Sequence, residues 1–335
     1  MTPPAPIRRL VLAPLFVALV AVLVALSPVL LVLAATWSVV IRRRAPLRML
    51  VLGLAYLVRD AVATVAGFGL WVGSGFGLAL RTGSMRERHY DLMRWFLSGL
   101  IATAERTVRL KVEIEDSEPA ETALRECRRP AIVLSRHAGV GDSFLLVDRL
   151  LVRYGRRPRV VLKAALQLDP FIDLFGNRLP NCFIESSDED CEEGIARLAK
   201  GLDDEEAVLI FPEGGNFSAE RQERAVQHLE EEGHETDAAR ARELENLLPP
   251  QPSGTLAALE GALDADVVFI AHAGFPAVSS LGELWAAVPL RRPVRLRLWL
   301  VPGSEVPSTE EERREWLFGW WERLDGWVDA QPEAA

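Results

Sequence analysis

The chain has 335 residues, 49% of them hydrophobic and 25% charged, and a formal net charge of −9, a length that suits two average domains or one large domain with an appendage. The charge is divided: residues 1–81 carry eight arginines against one acid, Asp60, a balance of +7 that leaves −16 for the remainder. A basic apolar front on an acidic body is unlike a nucleic-acid binder, which spreads Lys and Arg over its folded face, and looks like a soluble domain tethered to an anionic membrane surface.

Residues 10–41 contain no charged side chain and are dominated by Leu, Val and Ala. Such a run exceeds the roughly 20 residues that cross a bilayer and is too long for the apolar core of a cleaved signal peptide. Pro28, near its middle, is expected to kink or break the helix. A second apolar run, residues 47–80, is interrupted by Arg59 and Asp60, becomes rich in glycine, and carries Trp71 as an interfacial anchor. Two plain crossings would place the cluster Arg42, Arg43, Arg44 and Arg48 on the side opposite a cytoplasmic body. A monotopic or re-entrant arrangement keeps every arginine on one face and is the preferred reading. Residues 85–110 are amphipathic, with Trp95, Phe96, Leu97 and Leu100 among charges, and read as a helix between membrane and body that includes His89. The anchor is therefore assigned to residues 1–84 and the body to residues 85–335.

Residues 108–114 alternate strictly and predict a half-buried strand. A helix over 119–127 precedes a buried strand over 131–134. Apolar positions at helical spacing predict a helix over 144–154, with Asp142 and Ser143 as its starters. Further strands are expected at 159–162, 181–184, 207–211, 267–270 and 294–299. Helices or helical turns are expected at 166–174, 192–202, in a long charged stretch after Ser218, and at 310–328. Short apolar strands alternating with helices give an α/β fold, a central mixed sheet flanked by helices. The cysteines Cys127, Cys182 and Cys191 form no CxxC pair, so they indicate neither a zinc site nor a disulfide framework and read as packing residues in a reducing compartment.

Chemistry in such sheets gathers in the loops beyond strand ends. One loop presents His137 and Asp142: an imidazole exchanges a proton near neutral pH, and a carboxylate can hold its ring in one tautomer. The other is Pro212-Glu213-Gly214-Gly215-Asn216-Phe217-Ser218. There, glycines let the backbone approach a ligand and Glu213 offers a carboxylate. The chain has no GxxxxGK[ST] loop and no GxSxG elbow. His272 closes a strand and reads as polar strand-end packing or as a residue facing the site. His228 and His234 read as solvated, as does the acidic run from Glu185 to Glu193.

These residues resemble the glycerolipid acyltransferases, which make phosphatidic acid and remodel phospholipids. His137 with Asp142 is similar to that family's HX4D motif, and Phe211-Pro212-Glu213-Gly214 to its FPEG motif, in the same order. Lys163-Ala164-Ala165-Leu166, Asp169-Pro170-Phe171 and Phe183-Ile184 look like its second motif region. Leu247-Leu248-Pro249, Ser253-Gly254-Thr255 and residues 267–276 look like the branch holding the eukaryotic lysophosphatidate and lysocardiolipin enzymes. The resemblance covers most of residues 85–328 and implies a glycerol-3-phosphate acyltransferase-like fold behind N-terminal membrane helices.

It also implies a catalytic pair of His137 and Asp142, with Glu213, Gly214, Lys163 and Arg178 binding substrate. The donor would be an acyl thioester, acyl-CoA or acyl-carrier protein, and the acceptor a membrane lysophospholipid such as 1-acyl-glycerol-3-phosphate. The implied setting is the cytoplasmic face of the cell membrane, with no metal, no further cofactor and no nucleic acid. The chain departs from the family in two places. Glu185 and Ser186 stand where an arginine commonly follows Phe-Ile, and Gly215-Asn216 stand where Thr-Arg commonly follows FPEG. Those arginines are thought to hold the acceptor phosphate, to which a guanidinium fork is suited. Lys163, Arg178, Arg221 and Arg224 are the candidates to replace them.

Overall fold

A computed structural model describes residues 2–184, 188–275, 285 and 287–331. In chain order its main elements are α1 (Ala5–Val40), α2 (Ala45–Gly73), α3 (Gly83–Thr107), β1 (Val112–Glu115), α4 (Glu118–Glu126), β2 (Ala131–Ser135), α5 (Val140–Asp148), β3 (Arg157–Lys163), α6 (Pro170–Arg178) and β4 (Cys182–Ile184). There follow α7 (Asp188–Ala199), β5 (Glu206–Ile210), α8 (Ala219–Glu231), α9 (Glu235–Glu243), α10 (Pro252–Gly261), β6 (Asp266–Ala273), β7 (Val294–Val301) and α11 (Glu310–Asp329). They divide into two compact units. One comprises Met1–Lys111, Leu162–Ser186 and Leu284–Arg291; the other comprises Val112–Val161, Ser187–Glu283 and Arg292–Ala335.

In the first unit, α1 and α2 are each long and apolar enough to cross a membrane. Pro28, expected to kink or break the helix, leaves α1 unbroken. The carbonyl that loses its helical partner to a proline is four residues back, at Val24, and the Ser27 hydroxyl donates to it at 2.7 Å. A neighbouring hydroxyl thus satisfies the group that would otherwise open the helix. The start of α1 is pinned to α6, where the buried Arg8 donates to Asp173 Oδ1 through Nε at 3.1 Å and Nη2 at 2.7 Å, and Arg9 donates to Asp173 Oδ2. α2 runs against α3 from end to end. Arg48 donates to Thr107 O at 2.7 Å, Arg59 lies 4.8 Å over the Trp95 ring, and Arg178 reaches both Gly67 O and His89 Nε2. The strand expected over 108–114 begins only at Val112. Arg109 takes a left-handed φ of 63° and Leu110 N–H turns back to Ala104 O, so the first four positions close a helix instead of joining a sheet.

The second unit is an α/β sheet, as the alternation of strands and helices predicts, and one antiparallel pair makes it mixed. Its strands run in the order β1-β7-β6-β2-β5-β3. The pairs β1–β7, β6–β2, β2–β5 and β5–β3 are parallel, and β6–β7 is antiparallel. Every residue of β2 and β5 is buried, which is why both read as unbroken apolar runs: central parallel strands are covered on both faces. On one face α11 lays Trp320 flat on Phe269 of β6, ring centroids 4.4 Å apart, with Trp316 edge-on at 5.2 Å. The long charged helix expected after Ser218 is two helices. Gly233, at φ 78°, ends the first, and Val226, Leu229, Ala238 and Ala241 pack between them as a small apolar cluster.

Candidate active site

β6, β2 and β5 are adjacent and mutually parallel, so their C-terminal ends gather at one edge of the sheet, where ligands bind in open α/β sheets. β2 leads into His137, β5 into Glu213, and β6 carries His272 as its penultimate residue. All three meet in the second unit.

Helix α5 has Gly139 as its N-cap, and Asp142 occupies its third position, one turn further in than a starter residue. From there the Asp142 carboxylate turns back on its own loop. Oδ2 accepts the N–H groups of Ala138 at 2.6 Å and Gly139 at 3.1 Å, and His137 Nδ1 lies 3.1 Å from Oδ1 and 3.2 Å from Oδ2. Ser143 Oγ adds a fourth donor at 3.2 Å. The carboxylate is 1% exposed and the imidazole 20%. Burial disfavours the Asp142 charge, but the hydrogen bonds from His137 and His272 outweigh it and hold the carboxyl far below its ordinary value. An ionised Asp142 fixes the proton of His137 on Nδ1, so Nε2 carries the lone pair. Among the described residues Nε2 has no hydrogen-bond partner. Phe211 backs the ring, centroids 4.7 Å apart. The arrangement can take a proton from a hydroxyl and stabilise the resulting imidazolium.

Glu213 braces the backbone. Its Oε1 accepts His137 N–H at 2.8 Å and its Oε2 accepts Leu248 N–H at 3.1 Å. Gly214 takes φ 62°, a left-handed conformation that glycine adopts without strain, and a Cβ there would lie 2.9 Å from the end of the Gln251 side chain, which would have to shift. Sequence reasoning missed two further members. Arg136, buried, donates to His272 O at 2.8 Å and Asn246 O at 3.1 Å. Asp325 of α11 accepts the N–H groups of Glu245, Asn246 and Leu247. The N–H groups of residues 245–248 are thereby held by Asp325 and Glu213. Nothing local marks Arg136 or Asp325, because their partners are backbone atoms distant in sequence. His272, read chiefly as packing, is placed against Asp142, its Nε2 3.3 Å from Oδ2.

Burial pushes the Glu213 carboxyl up to about 8, against the pull of Arg136 and its two N–H donors. A carboxyl whose folded value is raised makes no demand on stability below its unfolded value of about 4.3 and an increasing one as pH rises to 8. The folded-to-unfolded ratio of the wild type should therefore fall by up to about tenfold per pH unit across that window. In Glu213→Gln this contribution vanishes, and denaturant melts at pH 5, 6, 7 and 8 read the difference.

Lys163, at the end of β3, and Arg178, at the end of α6, belong to the first unit. The Arg178 guanidinium is taken up by Gly67 O and His89, with burial lowering its pKa to about 10. In the second unit, Arg221 Nη1 hooks onto Asn216 O at 3.3 Å, beside the loop that follows Glu213, while Arg224 pairs with Glu220 on the exposed face of α8. Glu185 and Ser186 fall outside the described residues, as do Pro276 and the side chain of Cys191.

Residues 109–251, which contain His137, Asp142 and Glu213, match the family model described as Acyltransferase. No curated protein matches the chain significantly in sequence. Among solved structures, the 1-acyl-sn-glycerophosphate (LPA) acyltransferase PlsC from Thermotoga maritima aligns over 83% of this chain and 99% of that one, with 15% identity and a TM-score of 0.47. Residues 109–251 are thus similar to the family described as Acyltransferase.

Proposed function

We propose that the protein is a membrane-associated O-acyltransferase that moves a fatty acyl group from a thioester, acyl-CoA or acyl-carrier protein, to a hydroxyl of a lysophospholipid. The observation that carries this reading is the His137–Asp142 pair, whose Nε2 is left open within the stretch similar to the Acyltransferase family. Nε2 takes the proton as the acceptor oxygen attacks the thioester carbonyl. The tetrahedral species then expels thiolate, which recovers the proton, giving an ester and a free thiol. Asp142 stabilises the transient imidazolium, and Glu213, through the backbone N–H of His137, sets where the ring stands.

Arg221 is the candidate for an anionic group on the acceptor, since it is anchored at the Glu213 loop whereas Arg224 is paired on the exposed helix face. A panel of lysolipids differing in headgroup, offered with labelled acyl-CoA and with acyl-carrier protein, tests the reading. It expects one acceptor and one donor to be strongly preferred. Lipid binding without turnover across the panel would contradict it.

Membrane attachment is read as in-plane. At about 1.5 Å per residue, the 36 residues of α1 span about 54 Å, against a hydrocarbon core of about 30 Å. The face of α1 that carries Leu15, Leu19, Leu26, Val29 and Leu33 is exposed. α2 carries Arg59 midway and is packed on α3, whose Arg88, Asp91, Glu105 and Arg106 are exposed along its length. A crossing α2 would draw those charges into hydrocarbon, at a cost of several kcal/mol, whereas helices lying in the interface leave them in water. Single cysteines at positions 7 and 43 should then react with an impermeant maleimide from the same side of sealed vesicles. Labelling from opposite sides would show a crossing.

A further inference from the structure

We propose that His272 is a positioning residue: a second, neutral imidazole that holds Asp142 in place for His137. Its activity test rests on the acyl-transfer reading, and its spectroscopic test does not.

β2 and β6 are paired in parallel with Ser135 opposite Ile270, so the register brings His272, two residues further on, beside the loop that begins at Arg136. His272 Nε2 stands 3.3 Å from Asp142 Oδ2 and 3.2 Å from Arg136 O. Both neighbours are acceptors, so Nε2 carries the proton and donates. Nδ1 is then the bare nitrogen. It has no partner among the described residues, in a side chain that is 1% exposed. A second proton there would bury a donor without an acceptor.

The groups facing the ring reinforce this state. Arg136, from the loop after β2, places a guanidinium near it, and Phe275 stands edge-on with centroids 5.5 Å apart. Asp142 is the carboxylate in contact, and Glu213 and Asp325 interact with the charge carried by Arg136. Burial, ahead of every other influence, pushes the His272 pKa down.

A neutral donor and a cationic one would affect the pair differently. A cation on Asp142 would neutralise the charge that supports an imidazolium on His137. A neutral N–H leaves that charge in place and removes a degree of freedom instead. With Ala138, Gly139 and His272 all addressing Oδ2, the carboxylate cannot rotate away from Nδ1 of His137. A histidine serving only to fill the strand end would need Arg136 O alone, and the contact with Oδ2 goes beyond that.

The test uses the full-length protein in lipid vesicles. His272→Phe keeps the volume and removes the donor, and His272→Gln keeps an N–H near the position of Nε2. His272→Phe should lower kcat about 10- to 100-fold, a part of what a positioned base supplies. KM for both substrates should change less than about threefold, the acid limb of kcat/KM should move, and His272→Gln should restore most of the rate. Nitrogen-15 spectra of histidine-labelled wild type should show His272 neutral, with its proton on Nε2, from about pH 6 to 8, the range in which an ordinary histidine titrates.

A wild-type rate in His272→Phe would overturn the proposal. So would equal impairment in the glutamine variant, or titration of His272 within that range. If the wild type shows no turnover, the acyl-transfer reading falls and the spectra decide alone. A His272 signal that responds to Asp142→Asn sustains the contact, and an insensitive one refutes it.

Discussion

Replacing His137 by alanine is expected to lower kcat/KM for acyl transfer about 10²- to 10⁴-fold, the share a positioned general base supplies. The fold should survive. Glu213 meets residue 137 through the backbone N–H, which alanine keeps, and Asp142 retains Ala138, Gly139, Ser143 and His272 as donors. The side chain is partly exposed, so its removal opens no sealed cavity. A thermal melt moved by less than about 3 °C, alongside the lost rate, separates lost chemistry from lost structure. Activity near that of the wild type would remove His137 from the mechanism.

Asp142→Asn should cost as much in rate and more in stability. The amide has one oxygen where the carboxylate has two. With that oxygen kept by the N–H groups of Ala138 and Gly139, the NH2 faces His137 Nδ1. The imidazole then flips its proton to Nε2 and can no longer accept one there. In a serine protease the equivalent change lowers kcat about 10⁴-fold, and a loss of about 10³- to 10⁴-fold is expected here. Losing charge-assisted bonds in a buried site adds about 1–3 kcal/mol of destabilisation. The pH dependence has a defined direction. The folded carboxyl sits below its unfolded value of about 3.9, so its stabilisation is complete at neutral pH and is lost only as pH falls below that value. Acid melts should therefore show the wild type losing its advantage over Asp142→Asn below about pH 4. A constant difference down to pH 2 would contradict the assignment.

The parts of the fold legible in the sequence are those where burial writes a simple pattern. β2 and β5 are covered on both faces and read as apolar runs, and the loops after them hold His137 and Glu213. What escaped reading is what depends on register between distant segments. His272 lies 135 positions from His137, and only the parallel pairing of β2 with β6 brings it to Asp142. Arg136 and Asp325 act on carbonyl and amide groups, which carry no side-chain signature. Both oxygens of Glu213 are engaged by backbone N–H groups, an arrangement invisible without the path of residues 245–248. At the front of the chain, the break expected at Pro28 is absent because a serine one residue earlier bonds the orphaned carbonyl. Local propensity gave way there to a single side-chain contact.

The central claim is that His137 drives direct transfer of an acyl group from thioester sulfur to a lipid hydroxyl. The most direct measurement follows both products in one reaction, with wild type and His137→Ala in vesicles supplied with lysolipid and acyl-CoA. The account predicts free thiol and diacyl lipid in equal amounts from the wild type, little of either from the variant, and an unchanged protein mass throughout. Thiol release without new lipid ester, or a protein heavier by one acyl group during turnover, would contradict it.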